Sequence, residues 1–266
     1  MGTNCNNASL NAYGASQPWG IDQINHLYRR AAFGISPEDA KAVLTNSPRQ
    51  AVDDLVDAAL NLAPIAAPSW VNNRTDSDLN NNALKRAWRY TMMSELKNNG
   101  LRDRLLLFWS NHFVTEYPNY RCPSYWYDYI NILQRNCLGN LKTFVREIGL
   151  APAMLVYLNG NQNRNNRPNE NYARELYELF TLGEGVGYTQ NDIEETAKAL
   201  TGYTLRGDRC APYTFREDHF NAEDKTIFGR TGNWGYDDVI DILFNEKFKT
   251  FSNIIYQFNY CNLLFR

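Results

Sequence analysis

Helix start and stop signals recur along this chain so densely that they leave little room for a sheet-based fold. Ser36-Pro37-Glu38-Asp39 supplies a hydroxyl cap, a proline at the first helical position and acids in the first turn. Ser47-Pro48-Arg49-Gln50 repeats that pattern, and the two predict short helices over 37–45 and 48–60. Before them, Ile21, Ile24, Leu27, Tyr28 and Ala31 form an apolar stripe at helical spacing, with His26 opposite. Residues 61–82, with their Ala-Pro breaks and Asn/Asp run, read as a connecting loop. Further helices are expected over 84–96, 101–114, 125–138, 141–148 and 153–158, punctuated by Gly100, Gly139 and Pro152. A longer helix runs over 168–182 to Gly183, another from the Thr189 cap to Gly202, and a last over 236–244. Only 203–217, poor in helix formers and rich in aromatics, suits a small hairpin. The expected fold is mainly α, an irregular multi-helix globular bundle with a small β-hairpin near 203–217. It is read as one helical domain over 20–245, after a poorly ordered segment 1–19 and before an atypical tail 246–266.

Charge and patterning exclude several classes of partner. With 27 Lys+Arg against 29 Asp+Glu the formal net charge is -2, which argues against a nucleic-acid partner, because phosphate neutralisation needs concentrated basic surface. No apolar run approaches the ~20 residues of a transmembrane segment. The opening MGTNCNNASLNAYG has neither a basic nor an apolar region of the kind a signal peptide carries. Cys5, Cys122, Cys137, Cys210 and Cys261 are scattered and contain no C-x-x-C, so a zinc ribbon or redox motif is not expected. Reduced, packed thiols are the expected state; in an oxidising compartment two could pair, and the spacing does not say which.

The 168–182 helix carries the densest candidate chemistry. At 100° per residue, Tyr172, Ala173, Leu176, Tyr177, Leu179 and Phe180 form an apolar stripe, and Glu170, Asn171, Arg174, Glu175 and Glu178 gather on the other side. Asn171, Glu175 and Glu178 fall within one narrow sector. Two glutamates a turn apart can chelate a hard divalent cation, or act as an acid/base pair if one holds its proton tightly. The same residues also suit an ordinary solvated face, since Glu170–Arg174 and Arg174–Glu178 are i,i+4 pairs worth about a few tenths of a kcal/mol each. Of the three histidines, His26 with Arg29 and Arg30 forms a basic face that could grip an anion or pair with the glutamates. His112 lies on an apolar face and reads as a hydrogen-bonded core histidine. His219 sits in an acidic loop with Asp218, Glu223 and Asp224. Convergence of histidines on Glu175 and Glu178 would make a metal centre able to activate water.

Several blocks together resemble a bacterial family known as domain of unknown function 1800. They are HLYRRAAFG (His26 to Gly34), FWSNHFV (Phe108 to Val114), PAMLVYLNGNQN (Pro152 to Asn163), RPNENYARELYELFTLGEG (Arg167 to Gly185), YTQNDIEETAKALTGYT (Tyr188 to Thr204) and DKTIFG (Asp224 to Gly229). The resemblance implies a helical, exported or periplasmic bacterial protein, and it supplies no activity. Its recurrent polar positions fall here on His26, Arg29, Arg30, Asn111, His112, Asn169, Glu170, Asn171, Arg174, Glu175 and Glu178. The tail after Asp241 departs from the pattern, as a truncated or frameshifted member would. Residues and resemblance together suggest a metal- or carboxylate-dependent hydrolase acting on an envelope or extracellular polymer. Glu175, Glu178 and His112 would be catalytic, and His26, Arg29, Arg30, Asn111, Asn169, Asn171 and Arg174 would bind substrate. A divalent metal is the candidate cofactor, a polysaccharide or envelope protein the candidate partner, and Trp109 and Trp126 the candidate sugar-stacking surfaces. The alternative is a non-catalytic envelope assembly or binding protein, whose polar helix face is an internal salt-bridge network.

Overall fold

A computed structural model describes residues 18–72, 81–96, 99–205 and 210–247. Among the described residues there are twelve α-helices and two antiparallel two-stranded sheets, so the protein is mainly α. The described residues divide into two compact units, one drawn from 18–63 and 91–108, the other from 64–90 and 109–247. Most of the segments expected to flank the fold, residues 1–17 and 248–266, lie outside the described residues.

The first unit opens with α1 (Ile21–Ala31), α2 (Pro37–Val43) and α3 (Pro48–Asn61). Both serine caps form: Ser36 accepts from the Asp39 amide and Ser47 from that of Gln50. Ile24 and Ala31 on α1, Ala40 on α2, and Ala51 and Ala59 on α3 are buried. After them, α4 (Asn81–Leu96) starts in the residues of the second unit and ends in those of the first, and α5 (Gly100–His112) starts in the first and ends in the second. Near the start of α5, Arg102 and Asp103 are both buried, with Nε and Oδ1 2.8 Å apart. Arg102 also donates to the carbonyl of Ala63, and the Asn99 amide donates to Asp103. A buried ion pair costs desolvation unless its remaining atoms find partners, and these contacts provide them.

The second unit holds α6 (Tyr117–Tyr120), α7 (Pro123–Asn136), α8 (Leu141–Gly149), α9 (Pro152–Tyr157), α10 (Asn171–Glu178), α11 (Gln190–Ala199) and α12 (Tyr236–Glu246). Its core is built from Leu133, Phe144, Ile148, Met154, Leu176, Ile193, Ala197, Val239 and Leu243, all buried. Three helices are pinned through one glycine. The Tyr172 hydroxyl on α10 lies 3.3 Å from that of Tyr236 on α12, and Tyr236 donates to the Arg146 carbonyl of α8 at 2.9 Å. A Cβ on Gly149 would overlap both hydroxyls, so only glycine lets the tyrosines close over α8.

The hairpin expected within 203–217 is present: β1 (Tyr203–Leu205) pairs with β2 (Tyr213–Phe215), Thr204 opposite Thr214. A second hairpin, β3 (Lys225–Ile227) with β4 (Arg230–Gly232), was not anticipated. It turns through Phe228 and Gly229, both at positive φ, and the Phe228 amide donates to Asp192 of α11. Lys225 is buried, with Nζ donating to Asn233 and to the Trp234 carbonyl. The expectation of reduced thiols holds for Cys137, a buried thiol, and fails for Cys122 and Cys210. The fold brings the latter two, 88 residues apart in sequence, to a Cα separation of 5.6 Å and they form a disulfide. It ties the residue before α7 to the segment entering β2, and only the folded path could have named the pair.

Candidate active site

The site begins with the asparagines that lead into α10. The Asn163 side chain accepts the Asn169 amide at 2.8 Å, and the Asn169 side chain accepts that of Asn171 at 2.9 Å. Asn163 itself is buried and donates to the Ala197 carbonyl on α11. These bonds halt the chain and re-aim it, so the helix starts at Asn171 rather than Pro168. It also ends early. The amides of Leu179 and Phe180 both donate to the Glu175 carbonyl at 3.0 Å, closing α10 after Glu178. Leu179, expected on the apolar stripe, is therefore 61% exposed.

The same ending aims the Phe180 carbonyl at α5, where it lies 3.0 Å from Nε2 of His112. A carbonyl can only accept, so Nε2 carries the hydrogen and the neutral ring keeps its lone pair on Nδ1. His112 packs against the rings of Phe113 at 4.7 Å and Trp109 at 5.5 Å. Burial pushes its pKa below the ordinary 6.5, against the opposing effect of the bond to Phe180.

A cavity of about 460 Å³ opens beside this ring. Its walls are Asn111, His112 and Val114 at the end of α5, Tyr157 and Leu158 at the end of α9, Asn171 and Glu175 on α10, and Leu179 and Phe180 beyond it. Asn171 donates to the Leu158 carbonyl at 3.1 Å, which fixes one amide of the wall. Burial raises the pKa of Glu175 first, and the charge of Glu178 raises it further, while Arg174 opposes. A carboxyl whose pKa is raised and an imidazole whose pKa is lowered thus line one cavity, and such displacement marks acid/base sites more often than ordinary surface.

The family model described as Protein of unknown function (DUF1800) matches residues 26–257. The chain belongs to the DUF1800 family. No curated protein and no solved structure matches it. Every residue of the cavity lies inside the DUF1800 match.

The remaining candidates of this DUF1800 chain are not among the residues that line the cavity. Arg174 reaches Glu178 at 3.2 Å and Glu170 at 3.0 Å, and Gln190 of α11 bonds both Arg174 and Glu170. Glu170, Arg174 and Glu178 therefore form a ladder along α10 that does not line the cavity. Asn169 serves the entry turn. His219 stands 3.9 Å from Asp218, which is itself held by Arg216, and its carbonyl accepts the Asn165 amide. His26, Arg29 and Arg30 lie on α1 in the first unit, and the cavity belongs to the second. Among the described residues, no three His, Cys, Asp or Glu side chains are grouped to hold a metal ion. Among the same residues, no helix is long and apolar enough to cross a membrane.

One sequence expectation changes. Trp109 is buried, with its indole donating to the Cys137 carbonyl at 3.0 Å, so it offers no face to a sugar. Trp126 packs edge-on against Tyr117. The cavity residues that sequence reasoning did not name as site residues are Val114, Tyr157, Leu158, Leu179 and Phe180, all apolar or aromatic and all at or just beyond helix ends.

Proposed function

We propose that this protein is an acid–base hydrolase acting on a hydroxyl-rich envelope or extracellular polymer, with Glu175 and His112 as its proton-transfer groups. The observation that carries the reading is their convergence on one cavity from two helices far apart in sequence. Partly buried Glu175 retains its proton to higher pH than an ordinary glutamate and suits the acid. Neutral His112, with Nε2 anchored on Phe180, offers Nδ1 as the base. The Asn111 and Asn171 carboxamides and the Tyr157 hydroxyl suit hydroxylated ligands, and Val114, Leu158 and Leu179 suit the apolar faces of the same ligands. Between the metal and carboxylate forms of the reaction, the carboxylate form has the support, because the described residues supply no ligand set for an ion.

Full-length protein assayed against a panel of envelope polysaccharides, with release of acid groups and reducing ends both followed, tests the reading. Turnover by the wild type that falls about 10²–10⁴-fold in Glu175→Gln supports it, the range typical of losing a general acid or base. Turnover that is absent, or unaffected by the substitution, refutes it. A second reading, a non-catalytic envelope protein, draws on the Glu170–Arg174–Glu178 ladder, whose side chains are satisfied by one another. That reading expects binding to the polymer without product.

A further inference from the structure

We infer that the bond cleaved at the Glu175–His112 cavity is an acyl ester on a sugar hydroxyl rather than a glycosidic link. The inference rests on the hydrolase reading above and narrows it to one bond class. Glycoside hydrolysis in most enzymes uses two carboxylates flanking the scissile bond. Among the described residues that line this cavity, Glu175 is the only carboxylate, and its neighbour Glu178 is engaged by Arg174. What the cavity does provide is one carboxyl, one imidazole and two carboxamides, the set needed to add water to a carbonyl and expel an alcohol.

The step balances without any further reagent. A water oxygen bonds to the acyl carbon while Nδ1 of His112 takes one of its protons, and the carbonyl electron pair moves onto oxygen. Asn111 and Asn171 flank the cavity with N–H donors that can meet the oxyanion. When the carbonyl re-forms, the bond from acyl carbon to alkoxy oxygen breaks, and the departing oxygen takes the proton of Glu175. The products are a carboxylic acid and an alcohol. The proton held by His112 then passes to the Glu175 carboxylate, directly or through water, and both groups return to their starting states. Val114 and Leu179 are 39% and 61% exposed at the rim, where they offer an apolar seat for a short acyl chain.

The test uses the full chain with glucose pentaacetate, whose leaving groups are sugar hydroxyls, beside p-nitrophenyl β-glucoside and p-nitrophenyl β-N-acetylglucosaminide. Acetate release is expected from the first and no nitrophenol from the others. Glu175→Gln and His112→Gln should each lower kcat/KM for the ester by about 10²–10⁴-fold. Asn111 is exposed, so Asn111→Ala tests the site without disturbing the core, and should lower kcat by about 10²-fold. Nitrophenol release that depends on Glu175, without acetate release, overturns the ester assignment and leaves the hydrolase reading standing. Acetate release that Glu175→Gln leaves unchanged also overturns the assignment. No turnover of any of the three compounds sinks the ester assignment and the hydrolase reading together.

Discussion

The Nε2 atom of His112 lies 3.0 Å from the carbonyl oxygen of Phe180, a bond that links the end of α5 to the turn that closes α10. It decides which ring nitrogen keeps a lone pair, and burial lowers the pKa of the ring. The folded protein favours the uncharged ring, so this group's contribution to stability is full above 6.5 and is lost as the pH falls below 6.5 toward the lower folded value. With only three histidines in the chain, the ring-proton resonances can be assigned by single substitutions. The His112 resonance should titrate with a midpoint below 6.5. A midpoint above 6.5 would mean that the ring is solvated or faces an anion, and the base assignment would fail.

Gly149 provides a separate test of how α10 is held. Gly149→Ala puts a methyl group where the Tyr172 and Tyr236 hydroxyls meet, and overpacking of this kind costs about 1–3 kcal/mol. Chemical denaturation should show a lower midpoint with little change in slope. An unchanged midpoint would show that the tyrosines have room to move.

The Cys122–Cys210 disulfide closes a long loop, and removing such a link costs about 2–4 kcal/mol. Thermal melts with and without reductant, repeated on the Cys122→Ser/Cys210→Ser protein, should show the same loss by both routes. Cys137 is buried and should resist thiol reagents until the protein unfolds. Equal melting temperatures in both redox states would contradict the assigned link.

Replacing Glu175 separates a chemical from a structural role. Burial and the Glu178 charge disfavour its ionised form, so its contribution to stability is full below 4.5 and is lost as the pH rises through the elevated folded value. Glu175→Gln keeps the shape without the charge. The variant should match the wild type in melting temperature near pH 4 and equal or exceed it at pH 7. A lower melting temperature at pH 7 would point to a carboxylate that holds helices together.

Much of the helical frame was legible because its signals are local. Ser36 and Ser47 cap the helices they announced, and the Thr189–Asp192 box opens α11. Other features depend on partners distant in sequence. The helix expected over 168–182 shortens to Asn171–Glu178 because Asn163 captures the turn before it and Glu175 receives two amides at its end. Neither bond leaves a trace in hydrophobic periodicity. The β3–β4 hairpin escaped because three-residue strands carry too little alternation, and one of its buried residues is the charged Lys225. At the site, the helical projection placed Asn171 and Glu175 correctly on a shared face. It could not distinguish Glu175 from Glu178, because that difference comes from Arg174 reaching one carboxylate and the cavity receiving the other.

The proposed acid role requires that Glu175 hold a transferable proton in the cavity it shares with His112. Carbon-13 NMR of glutamate-labelled protein, with the resonance assigned from Glu175→Gln, measures this directly and needs no substrate. The midpoint of Glu175 should lie above 4.5 and move downward in Glu178→Gln, since the neighbouring charge is one cause of the elevation. A midpoint at or below 4.5, unmoved by loss of Glu178, would exclude Glu175 as the acid.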